Sequence, residues 1–344
     1  MEFAKSAQRI TVLFLALLLA GSGALYGQER AGTSASPQLL VPVSSQYIDG
    51  SGAAAGISGI ESTLWNPAGL DRGGGDVLAM VSRREHLAGV GVNFLAVGTR
   101  FDDLGTFAVH IRNFDIGEIP ETTARNPQGT GGTFEPTFIT FGVTYGLSMS
   151  DQIRVGITTN VTNESFAEIS ATGVTFDAGV QYSQFLGFNG LDLGVSVRNI
   201  GTAMTYGGAG LQVPASSRGA QRSETPFETV SADAEIPTTV DLSLEYNVWR
   251  GLNVGATYTE NTFEPVKAKG QLSYNFRDLL TVRGQWTQIL EDQGELESPY
   301  ENRPSFGGTL NLESAIGLPV SFDYAFVSTQ YFDNNHILTL RGRF

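Results

Sequence analysis

Side chains able to do acid–base or metal chemistry are few and scattered in this 344-residue sequence. The chain contains no cysteine and only three histidines, His86, His110 and His336. Without cysteine there is no thiolate nucleophile and no thiolate zinc site. A metal site needs clustered ligands, and these histidines stand far apart in the sequence. We therefore interpret each histidine as a polar residue of a loop or of a strand's polar row, and we expect no metal site.

Three other sequence motifs for ligand binding or catalysis are also absent or incomplete. Gly73-Gly74-Gly75 is not followed by the Lys-Ser/Thr pair of a phosphate-binding loop. The acidic residues within 291–301 lack the Asp-x-Asp-x-Asp-Gly spacing of a calcium loop and are interpreted as a solvated loop. No Ser/His/Asp set stands out. We predict a protein that is not an enzyme and has no catalytic residues and no cofactor.

The bulk composition narrows the classes of partner. The net charge is −14 and no basic stripe is visible, which argues against a nucleic-acid partner. Charged residues make up 16% of the chain, well below the roughly 25% of soluble domains. A chain this poor in charge has ample apolar material for a buried or lipid-facing surface.

The N-terminus has the pattern of a secretory signal. Lys5 and Arg9 precede an apolar run over 12–20, and small residues follow at 21–24. We predict a signal peptide over 1–27, with a permanent N-terminal anchor as the alternative. After residue 30 no apolar stretch of about 18 residues occurs, so only a closed barrel could make the rest of the chain integral to a membrane.

From about residue 76 the chain repeatedly alternates apolar and polar residues over segments of about ten residues, the length of a tilted membrane-spanning strand. Phe107, Val109 and Ile111, for example, alternate with residues that include His110. In the alternating segments every charge falls on the polar row, and a lipid-facing charge costs about 2–4 kcal/mol near the bilayer centre. The pattern predicts an all-β fold, a transmembrane antiparallel β-barrel of about 14 strands over 76–344, with a wet, charged lumen.

Loop lengths and the C-terminal residues support export to the outer membrane. The long connections, at about 113–136, 200–237 and 291–304, all follow odd-numbered strands, so they lie at one end and place both barrel termini in the periplasm. The final residues Leu338, Leu340 and Phe344 share one face and match the signal read by the barrel assembly machinery. The predicted partners are therefore that machinery and outer-membrane lipid.

The segment 28–75, ahead of the barrel, does not alternate and is rich in small residues. Its motif is Trp65-Asn66-Pro67-Ala68-Gly69-Leu70, in which Asn66 can cap a helix that begins at Pro67. We predict that this segment folds into the barrel lumen as a plug, or lies at the periplasmic mouth of the barrel. The alternative is a flexible leader.

Several motifs occur in the order found in one family of barrels: Trp65 to Leu70, Thr175 to Tyr182, Leu191 to Gly201, Ile236 to Thr239, Phe322 to Phe326 and His336 to Phe344. In these the sequence resembles the PorV/PorQ family of outer-membrane proteins, which is related to FadL-type channels. The resemblance implies a fourteen-stranded barrel with an N-terminal plug. It also implies a component of type IX secretion that binds secretion-system proteins or the C-terminal domains of cargo. The alternative is a FadL-like channel that takes up hydrophobic small molecules.

Overall fold

The computed structural model describes residues 32–215, 225–290, 304–329 and 332–344. The predicted signal peptide, 1–27, and the acidic stretch 291–301 lie outside these residues.

Fourteen strands form the body of the molecule. Their bounds, from β1 to β14, are Val77–Glu85, Gly91–Arg100, Thr106–Asp115, Thr137–Ser148, Ile153–Phe166, Ile169–Tyr182, Leu191–Gly201, Thr239–Trp249, Leu252–Asn261, Lys267–Phe276, Leu280–Ile289, Pro304–Asn311, Val320–Val327 and Asn335–Arg343.

The strands form a closed antiparallel barrel. Each strand pairs with the next along the chain, and β14 pairs with β1. The seam continues beyond β14, because the Phe344 backbone N–H donates to the carbonyl of Val77 at 2.8 Å. Closure leaves no unpaired edge, which a sheet in lipid requires. The predicted strand number and antiparallel order are confirmed.

Alternation divides the wall into an outer row and an inner row. Val109 and Val143 on the outer row are 46% and 43% exposed. Thr144 and Thr158 on the inner row are buried and share a hydrogen bond of 2.9 Å. Exposed apolar side chains in a ring are what a hydrocarbon environment selects, so the barrel is of the transmembrane kind. Leu191 and Leu244, which alternation assigns to the outer row, depart from the pattern and are almost fully buried.

The two ends of the barrel differ in the length of their connections. At the end that holds Val77 and Phe344, here called the terminal end, the connections are short and run over 101–105, 149–152, 183–190, 250–251, 277–279 and 312–319. The opposite end, here called the loop end, carries the long connections 116–136 and 202–238 as well as short ones such as 86–90 and 167–168. Each of the two long connections contains a small antiparallel ribbon: Ile119–Pro120 with Thr133–Phe134, and Gln212–Ala215 with Thr225–Glu228.

Helices in the described part of the chain are short. Ahead of the barrel they are Pro37–Leu40, Ala53–Gly56, Gly59–Glu61, Ser62–Trp65 and Pro67–Arg72, and in the connections they are Leu87–Gly89, Asp102–Leu104, Phe185–Gly187, Ala209–Leu211 and Leu312–Ile316. Among the described residues, no helix is both long and apolar enough to cross a membrane.

Candidate functional site

Residues 35–72, here called the lumen segment, contact inner-row side chains from distant parts of the wall. The Ser45 hydroxyl lies 2.5 Å from the hydroxyl of Thr339 on β14. The Gly52 N–H donates to Thr257 on β9 at 2.8 Å, and Gln181 on β6 donates to the carbonyl of Ile57 at 2.9 Å. Because these three strands stand on different sides of the barrel, the segment crosses its interior.

All six residues of the Trp65 to Leu70 motif are buried. The Asn66 side chain forms hydrogen bonds both within the lumen segment and to the wall. The Asn66 side-chain oxygen accepts from the Ala68 N–H at 3.1 Å and so caps the 3₁₀ helix that begins at Pro67. Its amide nitrogen donates to the carbonyl of Ala54 at 2.7 Å and reaches the wall at Val180 at 3.2 Å. The predicted cap is confirmed, in a 3₁₀ rather than an α-helix, and the same side chain joins the segment to β6.

The wall facing this motif is lined with backbone rather than with side chains. Four inner-row glycines near the terminal end of β4 to β7 are here called the glycine wall: Gly146, Gly156, Gly179 and Gly194. A Cβ on Gly179 would lie 1.9 Å from the side-chain oxygen of Asn66, and a Cβ on Gly194 would lie 2.0 Å from the carbonyl oxygen of Ala54. Only glycine permits this close approach.

The opposite side of the segment is held by charges. Arg341 binds Asp323 through two hydrogen bonds, of 2.9 and 2.8 Å, and also pairs with Glu61 of the lumen segment at 3.2 Å. Arg283 lies 3.9 Å from the same Asp323 carboxylate and donates to Thr309 at 2.7 Å. We call Glu61, Arg283, Asp323 and Arg341 the charge network. The three inward charges of the wall in this network are therefore paired with one another or with the lumen segment.

Glu61 also connects two parts of the lumen segment, since its carboxylate accepts a hydrogen bond from the Ser44 hydroxyl. Burial raises the pKa of Glu61, although the positive charge of Arg341 acts in the opposite direction. The charge network therefore fixes the course of the segment as well as its attachment to the wall.

A cavity of about 240 Å³ opens at the loop end between the lumen segment and the wall. Its apolar lining comes mostly from the segment and includes Leu40, Val41, Pro42 and Ile48, with Ile289 and Val327 from the wall. Its charged lining consists of Asp49, Glu264, Arg84, Arg198, Lys267 and Lys269. The arrangement offers an apolar surface beside an excess of cations, which suits a small ligand with apolar surface.

A second cavity, of about 390 Å³, lies at the terminal end. Gln46, Thr309 and Arg341 line it, whereas Ile48 and Asp49 line the loop-end cavity. The lumen segment therefore passes from one cavity to the other between Gln46 and Ile48, beside the charge network. Chain and ion pairs together stand between the two cavities.

The other residues singled out from the sequence occupy the wall or a loop. Leu338, Leu340 and Phe344 lie on the outer row, exposed by about half. His110 is buried on the inner row, and His86 follows the end of β1. Throughout the part of the chain that the structure describes, no three His, Cys, Asp or Glu side chains cluster as metal ligands would.

Sequence reasoning missed the loop-end cavity and the glycine wall. Alternation placed Lys269 and Gly179 on the inner row but gave no reason to connect either with another part of the chain. One signal was available for the wall: four successive strands carry an inner-row glycine close to a short connection.

No protein-family model matches the sequence, and no curated protein does. Solved structures do match. CymD, a monoaromatic hydrocarbon channel, superposes with a TM-score of 0.54 at 11% identity, covering 89% of this chain and 98% of that chain. The Pseudomonas putida toluene transporter TodX gives 0.53 at 10% identity, covering 86% and 96%. A Pseudomonas aeruginosa FadL homologue gives 0.50 at 11% identity, covering 85% and 95%. At this identity the likeness shows the fold alone: this chain has the barrel architecture of FadL-type channels.

Proposed function

We propose that this protein is an outer-membrane channel for small hydrophobic molecules, with the lumen segment as its plug. The observation that carries the proposal is the loop-end cavity, which combines apolar lining with a position inside a closed, lipid-facing barrel. The fold it shares with proteins described as a monoaromatic hydrocarbon channel and a toluene transporter supports the same substrate class.

The loop end faces the outside of the cell in this proposal. Barrels of this kind have short periplasmic turns and longer external loops, and the connections 116–136 and 202–238 fall at one end. A ligand enters the loop-end cavity from outside and leaves through the terminal-end cavity. The lumen segment stands on that path, so transport requires part of it to move.

Uptake by whole cells tests the proposed function. Cells of a Gram-negative host that produce the protein should accumulate radiolabelled toluene faster than cells carrying an empty vector. Membrane fractionation should place the protein with the outer membrane. Equal initial rates of uptake, with the protein folded in that membrane, would contradict the proposal.

A reversible disulfide tests the plug. The chain has no cysteine, so Ser45→Cys with Thr339→Cys introduces a single pair, at side chains that are now in hydrogen-bond contact. Oxidation would tie the lumen segment to β14 and should reduce toluene uptake at least several-fold. Reduction should restore it.

The matched control uses the same wall residue. Ser82 on β1 contacts Thr339 at 2.7 Å, so Ser82→Cys with Thr339→Cys cross-links two strands of the wall and forms no covalent bond to the lumen segment. Uptake through this variant should not depend on its redox state. If both pairs respond alike to oxidation, or if neither responds, movement of the segment plays no part in transport.

A docking role in type IX secretion remains the second candidate. The connections 116–136 and 202–238, exposed along much of their described length, favour it because they offer surface for a protein partner. Cargo C-terminal domains should then bind the purified barrel, and replacing 119–134 by a short Gly-Ser linker should abolish that binding. Binding no stronger than to an unrelated barrel would rule this candidate out.

A further inference from the structure

We infer that the loop-end cavity binds a compact organic anion, such as an aromatic or short-chain carboxylate, through Lys269. The inference rests on the proposed function and names the substrate class of the same cavity. A neutral hydrocarbon could not pair with the Lys269 ammonium group or accept a hydrogen bond from the Trp65 indole.

The charged lining of the cavity is predominantly cationic. Four cations face two carboxylates there, and much of this charge is already paired. Lys267 binds Glu264 at 2.7 Å. Arg198 binds Asp241 at 2.8 Å and lies over the ring of Trp65.

Lys269 differs from the other cations in having no direct partner. Its side chain is more than nine-tenths buried, and among the described residues it makes no hydrogen bond and no ion pair within 4 Å. Asp49 and Asp241 act on it electrostatically from farther away. Both are engaged elsewhere: Asp49 accepts from Thr287 at 2.6 Å, and Asp241 is bound by Arg198. The cavity is lined by Lys269, and an anion in it would supply the direct partner that the ammonium group lacks.

A second donor on the same cavity lacks an acceptor. Trp65 lines the cavity and is nearly fully buried, and its indole nitrogen has no hydrogen-bond partner in the described part of the chain. The indole N–H can only donate. A carboxylate only accepts hydrogen bonds, so its two oxygens match donors of this kind.

The rest of the lining sets the shape of the ligand. Leu40, Val41 and Ile48 supply apolar surface, which requires an apolar body behind the charged group. The cavity volume of about 240 Å³ lies below the roughly 300–1,000 Å³ typical of sites for drug-sized ligands. A single aromatic ring or a short alkyl chain is therefore the appropriate size.

The test compares an anion with a hydrocarbon of the same ring. The full-length protein, in lipid nanodiscs, is titrated with benzoate and with toluene by calorimetry, with empty nanodiscs subtracted. Wild-type protein should bind benzoate more tightly than toluene. Lys269→Gln should weaken benzoate binding about 10- to 100-fold, the range for loss of a charge-assisted hydrogen bond, and should leave toluene binding unchanged.

Two further variants control for folding and for net charge. Lys269→Arg keeps the positive charge and should retain most benzoate affinity. The double variant Arg83→Gln with Asp115→Asn removes an exposed ion pair outside the cavity without changing the net charge, and should alter benzoate affinity less than about 3-fold. Heat-modifiable migration on gels confirms that each barrel is folded. The comparison of benzoate with toluene on wild-type protein uses no variant, so it holds even if a variant does not fold.

The outcomes separate the inference from the function on which it rests. Toluene binding without benzoate binding, or benzoate binding that Lys269→Gln does not weaken, would overturn the inference and leave the proposed function standing. Failure of both ligands to bind the folded wild-type protein would overturn both.

Discussion

The lumen segment meets the barrel wall through two unlike surfaces. At the glycine wall of β4 to β7 the segment packs directly onto backbone, with no room for one added carbon atom. At β11 to β14 it meets the charge network, where side chains reach inward to hold it. The first contact depends on shape and the second on charge. Contact with the glycine wall should therefore be weakened by an added atom, and contact with the charge network by the removal of a charge.

Removing the carboxylate shared by the charge network should have the largest effect. Asp323→Asn takes the main charge partner from Arg341 and the nearest carboxylate from Arg283, both largely buried. Breaking a buried ion pair costs about 3–5 kcal/mol, because the remaining charge is left uncompensated. We expect the free energy of unfolding to fall by that amount, measured by urea titration of the refolded barrel. A loss below about 1 kcal/mol would mean that the network does not hold the segment.

Adding one methyl group to the glycine wall should have an intermediate effect. Gly179→Ala places a carbon atom on the side-chain oxygen of Asn66, and overpacking of this kind costs about 1–3 kcal/mol. The same urea titration measures the loss. Gly270→Ala is the matched control, because a Cβ there meets nothing within 4 Å, and it should leave stability within about 0.5 kcal/mol of wild type. Equal losses for the two variants would show that the segment does not rest on the glycine wall.

Breaking an exposed ion pair should lower the free energy of unfolding least. The comparison with Asp323→Asn would show that burial makes the ion pairs of the charge network strong. Arg343 and Glu313 pair at 2.9 Å, with each side chain about half exposed. Such pairs contribute about 0.2–1 kcal/mol. Glu313→Gln should therefore shift the urea midpoint only slightly, in contrast to Asp323→Asn. A loss as large as that of the buried variant would remove the distinction between the two pairs.

The wall of this protein could be predicted from sequence, whereas its interior could not. Two-residue alternation is local, so rows such as Phe107, Val109 and Ile111 indicated strands and their lipid-facing side directly. Loop lengths then assigned the two ends. The cap by Asn66 was also predictable, since it joins residues two positions apart.

Contacts across the interior join residues far apart in the sequence. Alternation states that Arg283, Asp323 and Gly194 point inward, but it does not state what they meet. The partner of Arg341 in the lumen segment, Glu61, lies 280 positions earlier in the sequence, and no local pattern connects the two residues. The loop-end cavity was missed for the same reason, because Leu40 and Lys269 come together only when the segment is in place.

The contact between Ser45 and Thr339 restricts the order in which this molecule can assemble. Ser45 precedes the first strand, whereas Thr339 belongs to the strand that seals the sheet against β1. If β14 paired with β1 first, residues 35–72 would have to thread into a closed barrel, and protein folds rarely thread one part of the chain through another. The segment must therefore be in position while the seam is still open. Contacts between residues so distant along the chain also make for slow folding, so closure of the seam should be the late step of biogenesis.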